Sequence, residues 1–425
     1  MSAPGCRIQP LTLCFQQVPR AKAAGYPRRN REKTVLRSTV GLSIGSRCRN
    51  LRQPCSTRAG VTCRRSSAAV GSVALEMLVL TRKSTAQRIV RGAQMYDQLR
   101  IVNGSMPEPA VIPPEMRAAL EGFRGEAERI LAPFLMSVDS TPPPAIIYHY
   151  TNDAGLKGIL ETGKVWLSDI FSLNDPSELS HGFSSFVETL KTSAASGPPE
   201  AKLFAKSMDQ FLERIRETAQ YFSCSFSATG DDLGQWRAYA DNGHGYALGF
   251  DAALLESSFE KQSQGAIPNT ASFPITYENA KLAAIHSDLV SCMINLISLP
   301  RGRKLSDAVV NAYMGELAVM LASHAMHACL FFKHPSYKNE QEYRFLEVYE
   351  AGQAPNAIKV RMRPYSVVEY IEFDWKGNNS DALKRIVVGP AADPEKATRF
   401  AKDCLRMFCS GSVSVDRSEI PYRGT

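Results

Sequence analysis

A histidine and several carboxyl or amide side chains occupy positions where folding alone does not require polar residues. His149 ends an apolar stretch, while Asn174, Asp175 and Glu178 lie in the segment that follows the next apolar stretch. Glu342 precedes a third such stretch much later in the chain. Carboxylates held near one another can transfer protons or stabilise a positive centre, so this set could hydrolyse a phosphoester or a glycosidic bond.

Two predicted strands and a short helix between them would position this histidine. Residues 146–151 form the apolar and aromatic run of a buried strand. Asn152 or Asp153 can cap the helix that follows, and Gly163 can terminate it. Residues 165–168 then return as the second strand, so we expect a polar loop to cross the ends of both strands.

The acids of that loop have two interpretations. Asp175 suits the N-cap of a helix, Pro176 its first position, and Glu178 its third, from which the carboxylate can bond back to the cap. This capping box explains both acids structurally, and a catalytic role is the alternative.

The rest of the chain predicts a mixed α+β domain. The segment 221–227 alternates like a strand and places Ser223, Ser225 and Ser227 on one face, which would either line a polar cleft or face solvent. The other predicted elements are helices at 114–131, 176–192, 200–220, 233–240, 278–299, 306–332 and 393–408, and strands at 246–250, 272–277, 343–349, 358–362, 367–373, 385–388 and 413–415. The turn 241–245 and the segment 256–269 are predicted as loops.

Two ligand motifs are weak or absent. His324 and His327 lie three residues apart on an apolar helix, but no acid or third ligand is close in sequence, so we expect a hydrogen-bonded core pair and no metal. Gly243-His244-Gly245 lacks both a third glycine and a following helix, which excludes a Rossmann dinucleotide fingerprint.

The positive charge is confined to the N-terminal part of the chain. Residues 1–100 carry 19 Lys and Arg against 3 Asp and Glu, whereas the remaining residues carry 31 against 39. We predict a disordered basic tail over 1–105, a helical lead-in with a Pro-rich linker over 106–145, and the α+β domain over 146–425. Three explanations of this tail are open. The translation start is set too far upstream, the segment is an organellar presequence, or it is a basic arm that binds nucleic acid.

The ten cysteines predict neither a disulfide framework nor a zinc site, because none forms a CxxC pair. The longest apolar run, at 317–332, is too short to span a bilayer. We therefore expect a soluble cytoplasmic protein with no membrane association.

Over about residues 146–416 the chain resembles a large, mostly bacterial family catalogued as domain of unknown function 2971. The resemblance rests on several short motifs that occur in the same order as in that family. They are Tyr148-His149-Tyr150-Thr151, Gly158-Ile159-Leu160, Asn174-Asp175-Pro176-x-Glu178, Trp236-Arg237-x-Tyr239-Ala240-Asp241-Asn242-x-His244-Gly245, Gly249-Phe250-Asp251, Lys333-His334 and Glu340-x-Glu342-Tyr343-Arg344.

The combination of His149, the serine strand and Glu342 also resembles the ADP-ribosyltransferase superfamily. The resemblance implies a split sheet that holds NAD, with His149 contacting a ribose hydroxyl and the nicotinamide amide and Glu342 acting as the catalytic acid residue. Tyr150 or Trp236 would stack on nicotinamide. The cofactor-binding residues implied are Tyr150, Thr151, Ser225 and Trp236.

Other polar residues are not part of the transferase pattern and would form a substrate or acceptor site. They are Asn174, Glu178, Asp241, Asn242, His244 and Arg344, the last being equally a salt-bridge partner for Glu342. We expect an NAD-using enzyme with a protein or nucleic-acid acceptor, acting in phage defence or as a toxin. The alternatives are a non-catalytic nucleotide- or nucleic-acid-binding module and the carboxylate-dependent hydrolase.

Overall fold

The computed structural model describes residues 111–172, 177–262, 270–350, 358–363, 365–378 and 381–423. The predicted tail lies outside the described residues. So do Asn174 and Asp175 and the side chain of Glu178, and with them the predicted capping box.

Helices and strands alternate irregularly along the described ranges. The helices are α1 (Pro114–Ser140), α2 (Asp153–Thr162), α3 (Ser177–Ser196), α4 (Pro199–Thr218), α5 (Leu233–Tyr239), α6 (Ala252–Gln262), α7 (Asn279–Ile297), α8 (Asp307–Cys329), α9 (Trp375–Asn378) and α10 (Pro394–Phe408). The strands are β1 (Ile146–Thr151), β2 (Lys164–Asp169), β3 (Ala219–Ser227), β4 (Tyr246–Asp251), β5 (Thr270–Pro274), β6 (Glu342–Glu350), β7 (Lys359–Arg363), β8 (Ser366–Asp374), β9 (Leu383–Val388) and β10 (Ser414–Arg417). The described part of the chain thus has ten strands, and each overlaps one of the ten predicted strand ranges.

The strands form one mixed sheet, which confirms the predicted α+β class. Its order is β10-β9-β4-β1-β3-β2-β8-β7, while β6 pairs with β3 and β5 pairs with β6. The pair of β10 with β9 is parallel, and the other described pairs are antiparallel.

The sheet divides at β3. Along one edge β3 pairs with β6 over its whole length. On the other edge β1 pairs only at Ser227, and β2 pairs only at Phe222 and Ser223. Residues 224–226 therefore lie beside an opening between β1 and β2, which we call the sheet gap.

Apolar layers cover both faces of the sheet. On one face, helices α1, α3, α4, α7 and α8 pack over Tyr221 and Leu346. On the other, α2, α6 and α10 pack over Phe226 and Phe345. The helix predicted as a lead-in, α1, shares the first of these cores through residues such as Phe123 and Leu131, so the folded unit includes it.

Two element predictions need correction. The predicted loop at 256–269 is helical as far as Gln262, because Leu255 and Phe259 lie one turn apart and are both buried. Helix α1 continues beyond Leu131 to Ser140 despite Pro133, since Leu135 and Val138 extend its buried face.

The short helix after β1 has the predicted ends. The side chain of Asn152 accepts a hydrogen bond from the amide of Gly155 at 2.9 Å, and Gly163 ends the helix with φ 69°. A Cβ on Gly163 would lie 2.8 Å from Cβ of Lys376. The left-handed turn therefore needs glycine for two independent reasons.

Replacing Gly163 by alanine should lower the free energy of unfolding by about 1–2 kcal/mol, because an L-residue is strained at this φ. Thermal unfolding measures the change. Gly158→Ala is the matched control: nothing lies within 4 Å of its added Cβ. That substitution, inside the same helix, should stabilise by about 0.5–1 kcal/mol. Equal effects of the two substitutions would contradict the assignment.

Candidate functional site

His149 lies at the sheet gap. Its ring centroid is 5.5 Å from that of Phe226, and its Nδ1 is 3.3 Å from the carbonyl oxygen of Ser225 and 3.9 Å from Sγ of Cys224. Burial lowers the pKa of His149, opposed by the Ser225 carbonyl and assisted by the charge of Arg361. The imidazole is therefore neutral at pH 7, with Nδ1 placed to donate to Ser225.

Glu342, at the start of β6, is held by three donors. Ser225 Oγ and Arg344 Nε each donate to its Oε1 at 2.7 Å, and Lys333 Nζ lies 3.2 Å from its Oε2. Burial opposes the negative charge on Glu342, but the charges of Arg344 and Lys333 outweigh it and lower the pKa to about 2. Glu342 is thus a fixed carboxylate throughout the neutral range.

Glu340 binds the same lysine, Lys333, as Glu342 does, but its pKa is shifted in the opposite direction. Its Oε2 accepts from Lys333 Nζ at 2.5 Å, and its Oε1 accepts from the Tyr239 hydroxyl at 3.0 Å. Burial raises the pKa of Glu340 in spite of Lys333. Two neighbouring carboxylates with pKa values shifted in opposite directions suit one fixed charge and one proton acceptor.

Ser225 links His149 to Glu342, and no direct contact joins those two side chains. Neighbouring residues of a strand point to opposite faces, so Ser225 shares a face with Glu342 while His149 packs beside Phe226 on the other. At the sheet gap His149 nonetheless contacts the carbonyl of Ser225, whose hydroxyl donates to Glu342. His149 and Glu342 therefore approach Ser225 from opposite faces of β3, one at its carbonyl and the other at its hydroxyl.

The structure contradicts the predicted stacking role of Trp236 and Tyr150. Trp236 is 0% exposed and donates from Nε1 to Asp231 at 2.7 Å. Its ring meets that of Tyr150 edge-on at 4.8 Å, and the Tyr150 hydroxyl donates to the carbonyl of Thr229 at 2.9 Å. Both are core aromatics with no ring face open to a ligand.

Tyr239, on the same short helix, is an aromatic that the core does not enclose. It is 38% exposed and donates to Glu340. On the short helix α5, Trp236 is the residue that turns inward.

The turn after α5 packs against the protein itself. A Cβ on Gly245 would lie 2.1 Å from the carbonyl oxygen of Thr151, and one on Gly243 would lie 3.1 Å from the Tyr422 ring. Asn242 accepts a hydrogen bond from the Tyr422 hydroxyl at 2.7 Å. These glycines therefore serve contacts within the fold, which accounts for them without a ligand.

The remaining polar residues of this region are exposed or are bound within the fold. Asp241 and His244 are exposed, with His244 Nδ1 3.0 Å from the Asp241 carbonyl. Thr151 lies at the end of β1, where a Cβ on Gly155 would touch its hydroxyl. Arg344 is 0% exposed and binds Glu342, so the salt-bridge alternative is correct and an open phosphate-binding role is not.

Sequence reasoning missed Lys333, Tyr239 and Glu340 as parts of the site. Lys333 follows the end of α8 and is almost as buried as Glu342. The acidic pair Glu340-x-Glu342 was the available signal, since a lysine or arginine must accompany carboxylates that a strand carries into a core.

His324 and His327 are both buried in α8, as predicted, but they do not bond as a pair. His324 Nδ1 lies 2.7 Å from the Met320 carbonyl, and His327 Nδ1 has no partner among the described residues. Burial lowers both pKa values, that of His327 to about 3. No group of three His, Cys, Asp or Glu side chains in the described ranges could hold a metal ion.

One described helix, α7, is long and apolar enough to cross a membrane by composition alone. It packs in the helical layer through Leu289, Val290 and Met293, as core helices of the same composition do.

Comparison with known proteins finds a family that is similar to the part of the chain that carries Glu342. The family described as Protein of unknown function (DUF2971) matches residues 235–345, which include Trp236, Lys333, Glu340, Glu342 and Arg344. No curated protein and no solved structure matches the chain. Residues 235–345 are thus similar to a family to which no activity is assigned.

Proposed function

We propose that this protein is an ADP-ribosyltransferase-like enzyme that takes NAD as its donor. The observation that carries the proposal is the sheet gap, where His149 lies at the carbonyl of Ser225 and the hydroxyl of the same serine donates to Glu342. The proposal is supported by the opening between β1 and β2, by the histidine beside it and by the ionised carboxylate that begins β6.

Each residue has a physical role in this chemistry. When the bond between nicotinamide and ribose breaks, nicotinamide leaves with the bonding electrons and the ribose carbon becomes positive. Glu342, ionised at neutral pH and oriented by Ser225 and Arg344, would stabilise that centre and accept a ribose hydroxyl proton in a hydrogen bond. His149, neutral at pH 7, would orient the nucleotide.

The acceptor then attacks the ribose carbon and must lose a proton. Glu340 is suited to take it, because its pKa is raised and it lies beside Glu342 through the shared Lys333. A protein or nucleic-acid nucleophile with an exchangeable proton fits this step.

A second candidate is a non-catalytic nucleotide-binding module. The observation that favours it is the position of Glu342, which is 4% exposed and bound to both Arg344 and Lys333. A carboxylate so enclosed can act as a structural anchor for β6 rather than as a reacting group.

The enzyme hypothesis predicts that Glu342→Gln lowers the release of nicotinamide from NAD by about 10²-fold or more, because an electrostatic stabiliser is lost. Nicotinamide release is followed by chromatography, and NAD binding by calorimetry. Glu369→Gln, an exposed glutamate on β8, is the matched control and should leave the rate unchanged.

The outcomes separate the two candidates. NAD binding without nicotinamide release in the wild type supports the binding module. Equal release by wild type and Glu342→Gln, with the fold intact by thermal unfolding, would remove Glu342 from catalysis.

A further inference from the structure

Arg361 on β7 is a partly buried cation with no acidic partner in the described ranges. Its Nη2 donates to the Ser168 hydroxyl at 2.8 Å, and its guanidinium carbon lies 5.6 Å from the centre of the Trp166 ring. Its Nε is buried and has no hydrogen-bond partner among the described residues. A buried donor left without an acceptor is costly, so this group suits a ligand that supplies one.

Glu372, an acid on the same face of the sheet, is already paired with two lysines. Glu372 accepts from Lys164 and from Lys359, each at 2.7 Å. Two lysines on one carboxylate leave a net positive surface around Arg361, and the charge of Arg361 extends to His149, whose pKa it lowers.

Arg363 adds a second guanidinium to this surface. Residues two apart on a strand share a face, so Arg361 and Arg363 lie side by side on β7. Burial and the charge of Arg363 lower the pKa of Arg361. Two adjacent guanidinium groups, which carry forked donors, match a doubly charged oxyanion better than a single carboxylate.

We propose that Arg361 and Arg363 form a binding site for a phosphate group on the face of β7 and β2, beside Trp166. The site does not depend on NAD cleavage and goes beyond the proposed function. The phosphate comes from a nucleotide or from another phosphorylated molecule, and the experiment includes a probe for each source.

Trp166 provides the readout. It is 45% exposed, whereas Trp236 and Trp375, the other two tryptophans of the chain, are 0% exposed. A ligand bound at Arg361 should therefore change the emission of Trp166 with little contribution from the others. The full-length chain is titrated with inorganic phosphate, with ADP and with succinate, at fixed ionic strength.

We expect saturable changes with phosphate and weaker ones with succinate. Arg361→Gln should weaken phosphate binding by about tenfold to a hundredfold, the cost of losing hydrogen bonds to a charged group. Arg361→Lys keeps the positive charge but loses the forked pair of donors, so its phosphate affinity should lie between those of the wild type and Arg361→Gln. Arg399→Gln removes the same charge from an exposed position on α10 and should leave binding unchanged.

Tighter binding of ADP than of phosphate identifies a nucleotide as the source, and binding of phosphate alone identifies another phosphorylated molecule. The proposal is overturned if succinate binds as tightly as phosphate, or if Arg361→Gln behaves like Arg399→Gln. Because nicotinamide release is not measured here, a failed phosphate site and a failed NAD-dependent activity are told apart.

Discussion

Replacing Trp236 by alanine should lower the free energy of unfolding by about 3–5 kcal/mol, the cost of removing a large aromatic from a packed core. Trp236 is fully buried against Tyr150, Ala240 and Val387. Its removal also leaves Asp231 without the indole donor that lies 2.7 Å away. Chemical denaturation followed by circular dichroism measures the loss.

Trp166→Ala is the matched control, because that tryptophan is 45% exposed and lies at the surface beside Tyr370 and Arg361. Its unfolding free energy should change by less than about 1 kcal/mol. If Trp236→Ala instead kept full stability and weakened nucleotide binding, the result would support a role for Trp236 in stacking on the ligand.

Helix α5 shows where sequence periodicity stops being informative. Trp236 and Tyr239 are three residues apart, so they share much of one helical face, and the pattern alone cannot say which ring turns inward. The choice depends on neighbours distant in sequence: Tyr150 of β1 packs on Trp236, and Glu340 binds Tyr239. Seven residues give too short a window to fix a helical face.

Capping residues and strand alternation predicted the region around β1 better than helical periodicity predicted α5. Asn152 and Gly163 fix the ends of α2 through chemistry contained within a few residues. The alternation of β3 likewise predicted that its serines share one face, and on that face Ser225 donates to Glu342. These features need only capping rules and the two-residue period of a strand.

The sheet gap itself could not be derived in this way. It arises because β1 and β2 both pair with one edge of β3, through Tyr148 with Ser227 and Ser168 with Ser223, which are distant in sequence. The partners of Glu342 are of two kinds: Arg344 lies next to it on the same strand face, whereas Lys333 reaches it from the end of α8. The sequence predicted only Arg344 as a partner of Glu342, because the two residues are close along the chain.

The second large effect concerns Arg344. Arg344→Met should lower the free energy of unfolding by about 3–5 kcal/mol, because it leaves the buried carboxylate of Glu342 without its strongest partner. The Nη1 bond to the carbonyl of Leu330, at 3.2 Å, is lost as well. Lys333 alone would then have to balance Glu342 and Glu340 together.

A double-mutant cycle distinguishes this electrostatic cost from a simple loss of packing. Adding Glu342→Gln to Arg344→Met removes the uncompensated charge, so the double variant should be more stable than the sum of the single effects, by about 0.5–3 kcal/mol. Arg406→Met, which breaks the exposed pair with Asp403, should change stability by less than about 0.5 kcal/mol. Strict additivity in the cycle would mean that Arg344 stabilises the fold through its volume alone. In that case the ion pair with Arg344 would not be what stabilises the ionised form of Glu342.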